Sequence, residues 1–193
     1  FNKKGQEVPI VFVHGVGLTH EIWQPQLEFF NYHSTLAYDI LGHGKSSLKK
    51  REITFDDFSE QLIELIDHLN IKKIHLVGFS IGSLIARNFA TKFNDRLQSL
   101  VLLGSIYKRT EEQQKIVNQR FEQAKQELKL SKQALKRWFT DKYLEINPKI
   151  YEKISSILSA NNMNNFLKVY ELFVKHKNDE DFNKITASTL VMT

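Results

Sequence analysis

Gly78-Phe79-Ser80-Ile81-Gly82 sets a serine between two glycines, where an apolar run (Ile74, Leu76, Val77) gives way to a helical pattern. A serine hydroxyl attacks a carbonyl only when a base takes its proton and N–H donors hold the oxyanion that forms. A strand-to-helix turn of about one residue serves the second need. It lifts Ser80 out of the sheet edge in a strained conformation and aims the unpartnered first amides of the helix at the same point. Gly78 and Gly82 fit a backbone that passes close to itself, where a Cβ would clash. The Ile81 N–H is then one candidate oxyanion donor. The bare five-residue pattern also occurs by chance; the strand before it and the helix after it are what give it weight.

A second group of residues follows the run Val8–Gly15, which ends in His14-Gly15. Glycine there lets the loop approach a substrate carbonyl, and the Val16 N–H is the candidate second donor. His14 reads as a structural histidine bonded to neighbouring loops. Asp39 and the turn Gly42-His43-Gly44 read as braces for loops beside the site, with no direct part in the chemistry.

These residues need a scaffold that brings strand ends together. Val8–Gly15, Ser34–Ile40, Lys73–Phe79 and Leu97–Ser105 read as strands, and their near-continuous Val/Ile/Leu content suits a parallel sheet covered on both faces. Between them, Thr54–Leu69 puts Phe55, Phe58, Leu62, Leu65, Ile66 and Leu69 on one helical face, with Thr54-x-x-Asp57 as its N-cap. Ile81–Phe93 is apolar nearly all round and is expected to be deeply buried. The alternation specifies an α/β fold with right-handed crossovers.

After Ser105 the pattern changes. Residues 107–184 read as a cap of about four helices inserted into the core formed by residues 1–106 and 185–193. Their faces are marked by Ile116, Val117, Phe121, Ala124 and Leu128; by Leu135, Trp138, Phe139 and Tyr143; by Ile150, Ile154, Ile157 and Leu158 after Pro148; and by Met163, Phe166, Leu167, Tyr170, Phe173 and Val174. Ser188–Thr193 resumes the strand pattern. Trp138, Phe139, Phe166 and Tyr170 are candidate substrate contacts, although helical spacing favours cap core for such residues.

Composition narrows the partners. Residues 1–106 hold 11 Lys/Arg and 11 Asp/Glu, whereas residues 107–193 hold 16 and 11, the whole net charge of +5. A solvated lysine-rich surface is the ordinary reading of such an excess, and an anion-attracting cover over a pocket is the sharper one. No compact basic cluster with interleaved aromatics points to nucleic acid. No apolar run approaches a membrane span, and no signal peptide is visible, so a cytoplasmic location is expected. The absence of cysteine excludes disulfides and thiolate metal sites. Neither a cofactor nor a metal is expected, and oligomeric state is left open.

His14-Gly15, "YDILGHGKS", the Gly78–Gly82 turn and "RLQSLVLLGS" together resemble the α/β-hydrolase fold family over residues 8–106 and again over 188–193. "HGVGLTHEIWQPQL" and the helical cap look most like the branch of 3-oxoadipate enol-lactonases, small carboxylesterases and cofactor-free perhydrolases. The resemblance implies a nucleophile at Ser80, oxyanion amides at Ile81 and Val16, and a small ester or lactone substrate, anionic if the basic cap bears on it. The alternatives are a non-catalytic ligand-binding member of the fold, or a perhydrolase-like relative. The family order is Ser, then Asp/Glu, then His. His176, the only histidine after Ser80, precedes the strand after which the acid is expected, and reads as a surface residue; Asp179, Glu180 and Asp181 read as a solvated loop. The catalytic acid and histidine are therefore expected beyond Thr193, with further strands before Phe1, and the 193-residue chain alone is expected to be inactive.

Overall fold

The computed structural model describes residues 1–5, 7–127, 133–177 and 182–193. Five strands, β1 (Ile10–Val13), β2 (Thr35–Tyr38), β3 (Ile74–Phe79), β4 (Leu97–Leu103) and β5 (Ser188–Met192), form one sheet in the order β2-β1-β3-β4-β5. Every pairing is parallel. The register sets Val13 beside Tyr38 and Gly78, and Phe79 beside Leu103. The segments that start at His14, Asp39, Ser80 and Gly104 thus leave one edge of the sheet, the carboxyl edge, where open α/β sheets bind ligands.

Helices α1 (Gln24–Phe29), α2 (Phe55–His68) and α3 (Ile81–Lys92) belong to this first part. Thr54 and Asp57 close a reciprocal capping box at the start of α2, as their spacing predicts: the Asp57 carboxylate accepts from the Thr54 N–H at 2.7 Å. Phe58, Leu62 and Ile66 on α2 and Leu84, Ile85, Ala86, Phe89 and Ala90 on α3 have no solvent exposure. Burying a side chain of the Leu, Ile or Phe kind contributes about 1.5–3 kcal/mol, so α3 is fixed to the sheet from its first turn. Ser59 on α2 donates to Asn88 on α3 at 2.6 Å and locks the pair.

Between β4 and β5, five helices are described: α4 (Glu111–Glu127), α5 (Gln133–Trp138), α6 (Asp141–Ile146), α7 (Pro148–Ser159) and α8 (Met163–Lys175). Pro148 opens α7 and the Asn162 side chain caps α8. The stretch from Leu135 to Tyr143, expected as one helical face, is divided. Thr140 stops α5 and caps α6 by accepting from the Tyr143 N–H, which hydroxyl side chains do well. Val117, Phe121 and Ala124 are buried as expected, and Leu128 lies outside the described residues.

β5 is the most exposed strand of the sheet. It pairs with β4, yet Leu190, Val191 and Met192 are each more than half exposed. No helix among the described residues is long and apolar enough to cross a membrane.

Candidate active site

β3 ends at Phe79 and α3 begins at Ile81, so Ser80 alone makes the turn, at φ 56° and ψ −120°. A non-glycine residue held there costs on the order of 1–3 kcal/mol and persists only where its surroundings over-determine it. They do so here. The Ser80 N–H donates to the Leu103 carbonyl at 2.9 Å, and the Ser80 carbonyl accepts from the Ser83 N–H at 2.9 Å and the Ser83 hydroxyl at 2.6 Å. Ser83, one residue beyond the motif, thus pins the strained peptide. A Cβ on Gly82 would stand 2.5 Å from the Val13 carbonyl oxygen, which explains the second glycine of the motif.

The loop after β1 is held by two histidines that are fully committed. His14 Nδ1–H donates to the Gly15 carbonyl at 2.8 Å, and its Nε2 accepts from the Ile40 N–H at 3.1 Å. His43 Nε2 accepts from the Gly17 N–H at 2.9 Å, and its Nδ1–H donates to the Leu41 carbonyl at 3.2 Å. Burial lowers the pKa of His14 to about 3, helped by the nearby His43, and burial lowers that of His43 to about 4. Both rings are neutral braces. While Gly17 is bonded to His43, the Val16 N–H has no acceptor among the described residues, and neither does the Ile81 N–H.

Asp39 ties the same loops together. One carboxylate oxygen accepts from the His20 N–H and from His20 Nδ1–H, each at 2.8 Å, and the other from the Lys45 N–H at 3.0 Å. Burial by itself would raise the Asp39 pKa, but these donors outweigh it and hold the group below the usual carboxylate value. Gly44 is required beside it, because a Cβ there would stand 2.2 Å from the carboxylate, at a backbone φ of +50°.

Ser80 and Val16 line a cavity of about 620 Å³ whose other walls come from the segment after β4 and from α4, α5 and α8. Of the four expected substrate contacts, Trp138, Phe166 and Tyr170 line it. Phe139 does not. It packs with Leu18, Leu135 and Ile157 in the cap core and stacks on Tyr143 with ring centroids 5.4 Å apart. The lining holds Lys108, Arg109, Arg120 and Arg137 and, among the described residues, no histidine or carboxylate. His176 is not the free surface residue its position suggests. It is half-buried at the end of α8, edge-on to Phe55 at 5.2 Å, and away from the Ser80 cavity lining. Asp179, Glu180 and Asp181 lie outside the described residues.

The parallel sheet, the one-residue turn at Ser80 and the glycine-bearing loop after β1 define an α/β hydrolase, and a family model for the alpha/beta hydrolase fold matches residues 8–148. The chain belongs to that family. It is 33% identical over 174 residues to (E)-2-((N-methylformamido)methylene)succinate hydrolase of Acinetobacter baylyi, covering 90% of this chain and 65% of the relative. It is 25% identical over 184 residues to 3-oxoadipate enol-lactonase 2 of the same organism, covering 95% of this chain and 69% of the relative. The chain thus spans about two thirds of the length of these relatives. An enol-lactonase structure from Burkholderia xenovorans superposes with a TM-score of 0.84 at 23% identity, over 97% of this chain and 72% of that one, which shows the shared fold.

Proposed function

We propose that the protein is a serine hydrolase that cleaves a small carboxylic ester or lactone through an acyl-enzyme on Ser80. The observation that carries the proposal is the positive-φ turn that holds Ser80 in the lining of a cavity that Val16 of the β1 loop also lines. The Ser80 hydroxyl oxygen adds to the substrate carbonyl carbon. The Ile81 and Val16 N–H groups receive the oxyanion, the alkoxide leaves with a proton, and water releases the acid. The names of the two Acinetobacter relatives support hydrolysis of a succinate derivative and of an enol-lactone as the neighbouring chemistries.

The proton must go to a base. Both nitrogens of His14 and of His43 are engaged, and no histidine lines the cavity among the described residues. The reaction therefore needs a base from outside those residues. The same gap favours one alternative, a ligand-binding member of the fold that does no chemistry. Turnover of p-nitrophenyl acetate by the product of the complete reading frame separates the two. Hydrolysis abolished by Ser80→Ala supports the enzyme, and hydrolysis unchanged in that variant rejects it.

A further inference from the structure

The loop that carries the Val16 N–H is held from two sides. From the sheet side, the Gly15 carbonyl accepts from His14, and the Gly17 N–H donates to His43. From the cap side, the Asn161 Nδ2 donates to the Gly17 carbonyl at 2.8 Å. Asn161 stands in the turn between α7 and α8, 144 residues along the chain from Gly17. Gly17 is buried at a φ of 77°, with its N–H fixed by the core and its carbonyl fixed by the cap.

The planarity of the trans peptide joins these bonds in series. The Gly17 carbonyl and the Leu18 N–H belong to one peptide and point in opposite directions. By holding the carbonyl, Asn161 aims that N–H at the Gly15 carbonyl, which accepts it at 3.2 Å. The Gly15 carbonyl in turn shares a peptide with the Val16 N–H, which is left facing away from both of the donors that hold the carbonyl. The Leu18 side chain strengthens the link, buried in one cluster with Leu135, Ile154, Ile157 and Leu158 of the cap. The orientation of the Asn161 amide follows from its neighbours. Its Nδ2 faces three acceptors, the Gly17 carbonyl and those of Ile157 at 3.0 Å and Leu158 at 3.2 Å, where an amide oxygen would find no donor. Finishing α7 needs only the last two of these bonds.

We propose that Asn161 is a positioning residue for catalysis: through Leu18 and Gly15 it sets the direction of the Val16 N–H that receives the oxyanion. This rests on the hydrolase reading above and makes the cap a working part of the oxyanion site. Losing an oxyanion donor outright costs about 10²–10³ in kcat, and a small misplacement can cost about 10²-fold. Asn161 does not line the Ser80 cavity, so its loss leaves ground-state binding alone and falls on the transition state.

The test uses the product of the complete reading frame with p-nitrophenyl acetate. Asn161→Leu keeps the volume and removes the donor, and Asn161→Ala replaces it if the leucine variant does not fold. Lys153→Ala is the control, since it cuts another cap contact to the same loop, from Lys153 Nζ to the Glu21 carbonyl at 3.0 Å. In the Asn161 variants kcat and kcat/KM should fall together by at least about tenfold, with KM within about twofold of the parent. Amide hydrogen exchange over residues 15–19 should quicken about tenfold, the worth of one hydrogen bond, while β3 keeps its protection. Lys153→Ala should keep the parent kcat. A lower Tm with unchanged kcat would reduce Asn161 to a cap for α7 and overturn the proposal. Unchanged exchange over residues 15–19, or an equal loss of kcat in Lys153→Ala, would also overturn it. A failed hydrolase reading shows elsewhere, as a parent without turnover or as turnover that survives Ser80→Ala. Failed positioning shows as full kcat in Asn161→Leu of a parent whose turnover needs Ser80.

Discussion

A Cβ built on Gly78 would stand 2.3 Å from the carbonyl oxygen of Gly82, so the strand before Ser80 and the first turn of α3 touch through backbone alone. Neither partner can move aside, since Gly82 is itself pressed against the Val13 carbonyl. Gly78→Ala and Gly82→Ala are each expected to cost about 2–3 kcal/mol, at the upper end of overpacking penalties. Urea unfolding followed by circular dichroism measures this. An alanine variant at either position within 0.5 kcal/mol of the parent, where ordinary surface changes fall, would show that the turn is looser than described.

Ser80 carries the backbone strain of the site at φ 56°. Glycine reaches that conformation freely, but it also gains entropy in the unfolded chain. Ser80→Gly is therefore expected to be more stable than Ser80→Ala by about 1 kcal/mol, which is about 2–4 °C in Tm for a chain of this size. The reverse order would deny that strain is stored at the turn.

Acid should weaken the fold well above the carboxylate range. His14 and His43 bind protons near pH 6.5 when unfolded, but only near pH 3 and 4 when folded. Below pH 6.5 the unfolded chain thus holds more protons, and stability falls with pH. Each histidine contributes a slope of up to about 1.4 kcal/mol per pH unit, His43 until about pH 4 and His14 until about pH 3. Asp39, whose folded pKa is depressed, adds a loss only at lower pH, as the pH falls below its unfolded value towards its folded one. Stability measured from pH 8 to pH 4.5 should be flat above about pH 7 and then decline, less steeply in His43→Asn. A flat profile down to pH 4.5 would contradict the neutral, doubly bonded rings.

What was legible in the sequence was local. Gly78, Ser80 and Gly82 lie within five residues, and the strand and helix that flank them are strongly apolar, so the turn could be read without tertiary information. The same holds for the Thr54–Asp57 capping box. Phe139 lies in the cap core, as helical spacing favours, but the break at Thr140 was hidden because Leu135, Trp138, Phe139 and Tyr143 keep that spacing across it, where a polar cap ends one helix and starts another. The short α1 has no buried residue to mark it. His176 was read as surface because Phe55, its ring partner, lies more than a hundred residues away. The basic excess of the second half was visible as a sum, but Arg120 and Arg137 reach one cavity from two helices, which no linear pattern reports.

The central claim is that Ser80 is the acylated residue, and covalent capture tests it most directly. The product of the complete reading frame is treated with a fluorophosphonate and digested, and the adduct is located by mass spectrometry. A single adduct on Ser80, absent from Ser80→Ala and from protein denatured beforehand, is the predicted result. Labelling that persists in Ser80→Ala, or that falls on another residue of the native protein, would contradict it.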